Sequence, residues 1–132
     1  MPQTITKHVK DMVAEANTRV TTIPTTEAFD LVDSPDHVLI DLRDFRELKR
    51  GGKIPGAFSC PRGMLEFWID PDSPYHKDVF NQDKTYVFYC ASAWRSALSA
   101  LVAQEMGLKP VAHIEGGFGA WVKAGGPVET IE

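Results

Sequence analysis

Cys90 closes the apolar run Thr85-Tyr86-Val87-Phe88-Tyr89 and opens the segment Cys90-Ala91-Ser92-Ala93-Trp94-Arg95, after which a helix-like pattern runs to Met106. The first run is β-branched and aromatic, long enough for a strand buried on both faces. Ala97, Leu98, Leu101 and Val102 recur at helical spacing until Gly107 stops them. The thiol therefore stands at a strand-to-helix turn. Backbone N–H groups and the positive end of the helix dipole converge there, which favours thiolate over thiol and receives an anion. The chemistry such an arrangement supports is nucleophilic attack by a cradled thiolate. Ala91, Ser92, Ala93 and Trp94 would supply the cradle, and Arg95 planar donors for an oxyanion or for loop carbonyls.

Other candidates are less specific. Asp41 and Glu115 each end an apolar run, as Cys90 does, so in a parallel sheet all three would share the rim where ligands bind. Asp41 and Arg43 end a strand beside the presumed site and are supporting candidates. Arg62, in an irregular stretch, could swing in to add positive charge, and Cys60 could act as a resolving thiol for Cys90. His113 lies inside a strand, where a satisfied buried imidazole is the expected reading. Gly116-Gly117-Phe118-Gly119 lacks the spacing of a dinucleotide-binding loop and reads as a tight turn that brings Trp121 onto the sheet.

Elements to position these residues alternate along the chain. An amphipathic helix is expected over residues 4–19, with Ile5, Val9, Met12, Val13 and Ala16 on one face. It packs on the domain or serves as a partner-binding or dimer-forming helix. Next come a strand at 21–23, a helix from about 25 to 32, a strand at 38–41 and a helix at 44–50. After the turn Gly51–Gly56 come a short extended piece at 57–60 and an irregular stretch with a short helix near 64–68. The Cys90 strand and helix, a strand at 110–114 and a helix at 118–124 complete the series. This rhythm implies a parallel sheet covered on both faces.

The 132 residues, 43% hydrophobic with a formal charge of −4, suit one globular domain. Lys and Arg are scattered, so neither nucleic acid nor an anionic membrane is expected as a partner. No stretch approaches the ~20 apolar residues that span a bilayer, and a cytoplasmic location is the default. Two cysteines make no disulfide framework, and no Cys/His spacing fits zinc, so neither metal nor cofactor is expected.

Four segments together, Asp41-Leu42-Arg43, Gly52-Lys53-Ile54-Pro55-Gly56-Ala57, Tyr89-Cys90-Ala91-Ser92-Ala93-Trp94-Arg95-Ser96 and Glu115-Gly116-Gly117-Phe118-Gly119-Ala120-Trp121, resemble the single-domain rhodanese family of sulfurtransferases. The resemblance implies an α/β rhodanese-like fold with a five-stranded parallel sheet flanked by helices on both faces. It divides the chain into an N-terminal extension, residues 1–20, and a rhodanese-like domain, residues 21–132. It also implies sulfane-sulfur transfer from thiosulfate or a persulfide donor, through a Cys90 persulfide, to cyanide, a thiol or a protein acceptor. The alternatives are a non-enzymatic interaction or sulfide-sensing module and, third, phosphatase or arsenate reductase chemistry. Only four residues separate Cys90 from Arg95, where phosphatases with similar loops place five, and the smaller ring favours a sulfur atom over a phosphoryl group. Two departures from the family pattern carry expectations. Ala93 stands where Gly is frequent, so its backbone is expected to avoid positive φ. Lys53 stands where His is common and is expected to be a nearly silent surface change.

Overall fold

The computed structural model describes residues 2–131. Five parallel strands, β1 (Thr21–Ile23), β2 (His37–Asp41), β3 (Phe58–Ser59), β4 (Thr85–Tyr89) and β5 (Val111–Ile114), form one sheet in the order β1-β5-β4-β2-β3. The α-helices are α1 (Val9–Arg19), α2 (Phe45–Gly51), α3 (Leu65–Ile69), α4 (Trp94–Met106) and α5 (Gly117–Lys123). The central strand β4 shows why the chain folds in layers. Tyr86 and Phe88 enter a cluster with Ala100 and Ala103 of α4, whereas Val87 and Tyr89 enter one with Phe118 and Trp121 of α5. The sheet is thus covered on both faces, and the register fixes the rim. Asp41 lies opposite Tyr89, and Phe88 opposite His113, so Asp41, Cys90 and Glu115 emerge together at the carboxyl ends.

Two helices are shorter than their patterns suggest. The first begins at Val9 rather than at residue 4, because Val13 and Ala16 pack on Ala97 of α4 while Ile5, 64% exposed, has nothing to bury against. The helix expected from about 25 to 32 is a 3-10 segment, Glu27–Leu31. Lys53 also departs from expectation. Its side chain is only 14% exposed, and Nζ donates to Ala57 O (2.7 Å) and pairs with Glu129 (3.3 Å). It clamps the turn before β3 to the C-terminal segment, which an exposed, silent residue would not do.

Candidate active site

Cys90 is 1% exposed, and its Sγ accepts the backbone N–H of Ser96 at 3.3 Å. The loop's carbonyls are tied down from the opposite side of the sheet: Phe118 N–H donates to Cys90 O (2.7 Å) and Gly119 N–H to Ala91 O (3.1 Å). This needs a bare backbone at Gly117, where a Cβ would lie 2.5 Å from Cys90 O and 2.8 Å from Ala91 O, and where φ is +64°. The adjacent glycines therefore serve the loop as well as the seating of Trp121.

Ala93 corrects an expectation. It adopts φ 74°, ψ 3°, the left-handed conformation that a Cβ disfavours by about 1–2 kcal/mol. It is the N-cap of α4, its carbonyl accepting the Ala97 N–H (3.2 Å), so the chain must turn there for the helix to start. Non-glycine residues keep this geometry where their surroundings impose it, and such positions cluster at functional loops. Beside it, Ser92 and Trp94 face solvent, Trp94 at 48% exposure.

Arg95 is held by a residue that sequence reasoning missed. Its Nη1 and Nη2 donate to Glu47 Oε2 and Oε1, both at 2.9 Å, a bidentate fork. Glu47 also completes a capping box with Asp44 at the start of α2, Oε2 accepting the Asp44 N–H (2.9 Å) while Asp44 Oδ1 accepts from Arg46 and Glu47 N–H. The Arg95 fork holds the Glu47 carboxyl down at about 2, and the Asp44 N–H helps against the opposing effect of burial. The Arg95 guanidinium is in turn raised, first by Glu47, with a smaller contribution from the neighbouring Cys90.

Asp41 and Arg43 form a second fork that is sealed. Arg43 Nε and Nη2 donate to Asp41 Oδ1 (3.0 Å) and Oδ2 (2.8 Å), and Nη2 also donates to Gly52 O (2.7 Å). The Tyr89 hydroxyl donates to Asp41 Oδ2 and accepts the Ile54 N–H (3.1 Å). With Arg43 Cζ 4.2 Å from the Phe118 ring centroid, this hub ties β2, β4, the Gly52–Ile54 turn and α5 together behind the Cys90 loop.

The remaining candidates disperse. Arg62 is engaged with Glu66 (2.9 Å), one helical turn on. Cys60 is fully buried, and burial pushes its thiol up to about 12. Because Asp41 is opposite both Ser59 and Tyr89, Cys60 and Cys90 are two strands apart. That is a Cα separation of roughly 9–10 Å, beyond the ~7 Å that a disulfide spans without backbone movement. His113 is buried and bonded at both nitrogens. Nδ1 meets Ser96 Oγ (2.9 Å), while Nε2 meets Asn17 Oδ1 (2.8 Å) and Thr22 Oγ1 (3.2 Å). Burial lowers its imidazole to about 4. A cavity of about 490 Å³ between α1 and the loop is lined by Asn17, Thr22, Ser92, Trp94, His113 and Glu115, among others.

A buried cysteine that accepts the Ser96 N–H at the carboxyl rim of a five-stranded parallel sheet defines a class, and comparison with known proteins specifies it. Residues 25–124 match the model of the rhodanese-like domain, and the chain belongs to that family. It is similar to a protein named sulfurtransferase from Allochromatium vinosum, 29% identical over 77% of this chain and 87% of that protein. Among solved structures, a Staphylococcus aureus rhodanese-like domain protein is 27% identical with a TM-score of 0.66, covering 86% of this chain and 100% of that one. A Rhodopseudomonas palustris protein of unknown function, described as a possible tyrosine phosphatase, is 62% identical with a TM-score of 0.95, over 98% of this chain and 99% of that one.

Proposed function

We propose that this protein is a sulfurtransferase that carries sulfane sulfur as a Cys90 persulfide. The observation that carries the reading is the Ser96 N–H aimed at Cys90 Sγ from the first turn of α4, where it stabilises the thiolate that attacks the donor and that is released again when the persulfide gives up its outer sulfur. In the first half-reaction the thiolate attacks the outer sulfur of the donor. With thiosulfate, the bond between its two sulfurs breaks, sulfite leaves with the electron pair, and Cys90 holds the persulfide. In the second, cyanide or a thiolate acceptor attacks the outer sulfur, and the electron pair of the Sγ–S bond returns to Sγ. Every step is a two-electron displacement at sulfur and draws on no cofactor.

The paired arginines bear on the donor. Arg95 is engaged by Glu47 and Arg62 by Glu66, so a dianion arriving at the loop meets cations that are already paired. A persulfide of lower charge is therefore favoured over thiosulfate. The exposed Trp94, beside the loop, and Phe45, at the start of α2, offer apolar contacts to a thiol-bearing protein acceptor, and the exposed Val9 and Met12 of α1 a surface for a second copy. Among the described residues no helix is long and apolar enough to cross a membrane. We place the activity in the cytoplasm, where the two unpaired cysteines would stay reduced.

A phosphatase reading has one specific support, the description of the R. palustris protein. Against it stands the four-residue spacing, which leaves a smaller ring than a phosphoryl group with its equatorial oxygens would need. Parallel assays separate the readings. With thiosulfate or a persulfide as donor and cyanide as acceptor, thiocyanate should form and should vanish in Cys90→Ser. Cys90-dependent hydrolysis of an aryl phosphate without thiocyanate would establish the phosphatase instead. Neither activity would leave the interaction or sulfide-sensing module.

A further inference from the structure

Helix α1 lies before residue 25, where the match to the family begins, yet it reaches the nucleophile through three side chains. Asn17 Oδ1 meets His113 Nε2 at 2.8 Å, His113 Nδ1 meets Ser96 Oγ at 2.9 Å, and the Ser96 N–H donates to Cys90 Sγ at 3.3 Å. His113 and Ser96 are buried, whereas Asn17 is exposed and contributes little by packing. We propose that Asn17 is a positioning residue for Cys90, acting through His113 and Ser96. The inference rests on Cys90 being the reacting atom, as proposed above.

The partners of His113 differ in what they can do. A carboxamide oxygen only accepts, so Asn17 Oδ1 assigns the ring proton to Nε2 and leaves Nδ1 to accept the Ser96 hydroxyl. Thr22 Oγ1, 3.2 Å from the same Nε2, can donate or accept and fixes nothing. Without Asn17, Thr22 can donate to Nε2, and the imidazole can hold its proton on Nδ1 and donate to Ser96 Oγ instead. Ser96 then has two arrangements where it had one, in the turn whose N–H meets Sγ. Fixing a tautomer through the far nitrogen is the device by which outer partners of reactive histidines act. The lowered basicity of buried His113 agrees with a neutral ring whose tautomer matters. Glu115 is the carboxylate among the residues lining the adjoining cavity, and no described salt bridge involves it.

The test reads the thiol directly, so it works whether or not sulfur transfer is the activity. The rate of Cys90 alkylation by iodoacetamide, located by peptide mass, is followed against pH in native protein, Asn17→Ala, Asn17→Asp and Arg19→Ala. Arg19, on the same helix as Asn17, pairs with Glu105 of α4 at 3.6 Å and reports on helix docking alone. Asn17→Ala should lower the rate at neutral pH roughly threefold, a midpoint shift of about half a pH unit upward. Asn17→Asp places a carboxylate on Nε2 and should add a second inflection, as His113 begins to titrate nearer neutrality. Nitrogen-15 spectra should show the proton on His113 Nε2 in native protein and a tautomer mixture in Asn17→Ala. Native-like profiles in both Asn17 variants would overturn the proposal. So would an equal shift in Arg19→Ala, or a native His113 proton on Nδ1.

Discussion

Two arginine–carboxylate forks flank the Cys90 loop, alike in chemistry and opposite in setting. The Arg43–Asp41 pair is sealed, its side chains 4% and 0% exposed, and both carboxylate oxygens of Asp41 are engaged by Arg43 and Tyr89. The Arg95–Glu47 pair sits at the surface, its side chains 39% and 20% exposed. A buried pair cannot be opened without stranding a charge, whereas an exposed one exchanges partners at little cost. The first therefore fixes the frame that holds the loop, and we propose that the second is the cation that meets an incoming group once Glu47 gives way. Residue type alone does not separate these roles; burial does.

That contrast breaks first at Arg43. Arg43→Met leaves the Asp41 carboxylate buried without its cation and should cost about 3–5 kcal/mol in chemical denaturation. Arg95→Ala should do the reverse. Its denaturation midpoint should move by no more than about 1 kcal/mol, while sulfur transfer falls on the order of a hundredfold if the guanidinium meets charge developing on the leaving group. A large loss of stability in Arg95→Ala would show that both forks are structural.

Acid sharpens the comparison. His113 in the fold is lowered from 6.5 to about 4, so between those values the unfolded chain binds the proton more readily and stability falls as pH falls. Glu47 is lowered from 4.5 to about 2, so the stability it lends is present above 4.5 and is lost as pH drops toward 2. Denaturation against pH should show both windows. His113→Gln should flatten the upper one, and Arg95→Ala the lower. The smallest effect belongs to the loop itself. Ala93→Gly relieves the left-handed backbone, partly offset by the entropy of a new glycine, for a net gain of about 1 kcal/mol or less in the same experiment.

Much of the architecture was legible because the strands are buried on both faces. The continuous apolar run before Cys90 reads as a central strand, and the helical spacing after it reads as α4. Partners that lie far along the chain were not legible. Asp44 and Glu47 stand at capping-box spacing, so the start of α2 could have been read more sharply. The second use of Glu47, on an arginine 48 residues away, depends on tertiary placement. The same holds for Asn17, His113 and Ser96, three ordinary polar residues that meet only because α1, β5 and α4 pack together. The left-handed Ala93 escaped because propensity argues against it and the helix start overrides propensity.

The most direct test of the account is intact mass spectrometry of the reduced protein after a single exposure to thiosulfate or a persulfide, followed by cyanide. The account predicts a gain of one sulfur atom that is absent in Cys90→Ser and removed by cyanide with recovery of the starting mass. A folded protein whose Cys90 can be alkylated, yet which takes up no sulfur from either donor, would contradict it.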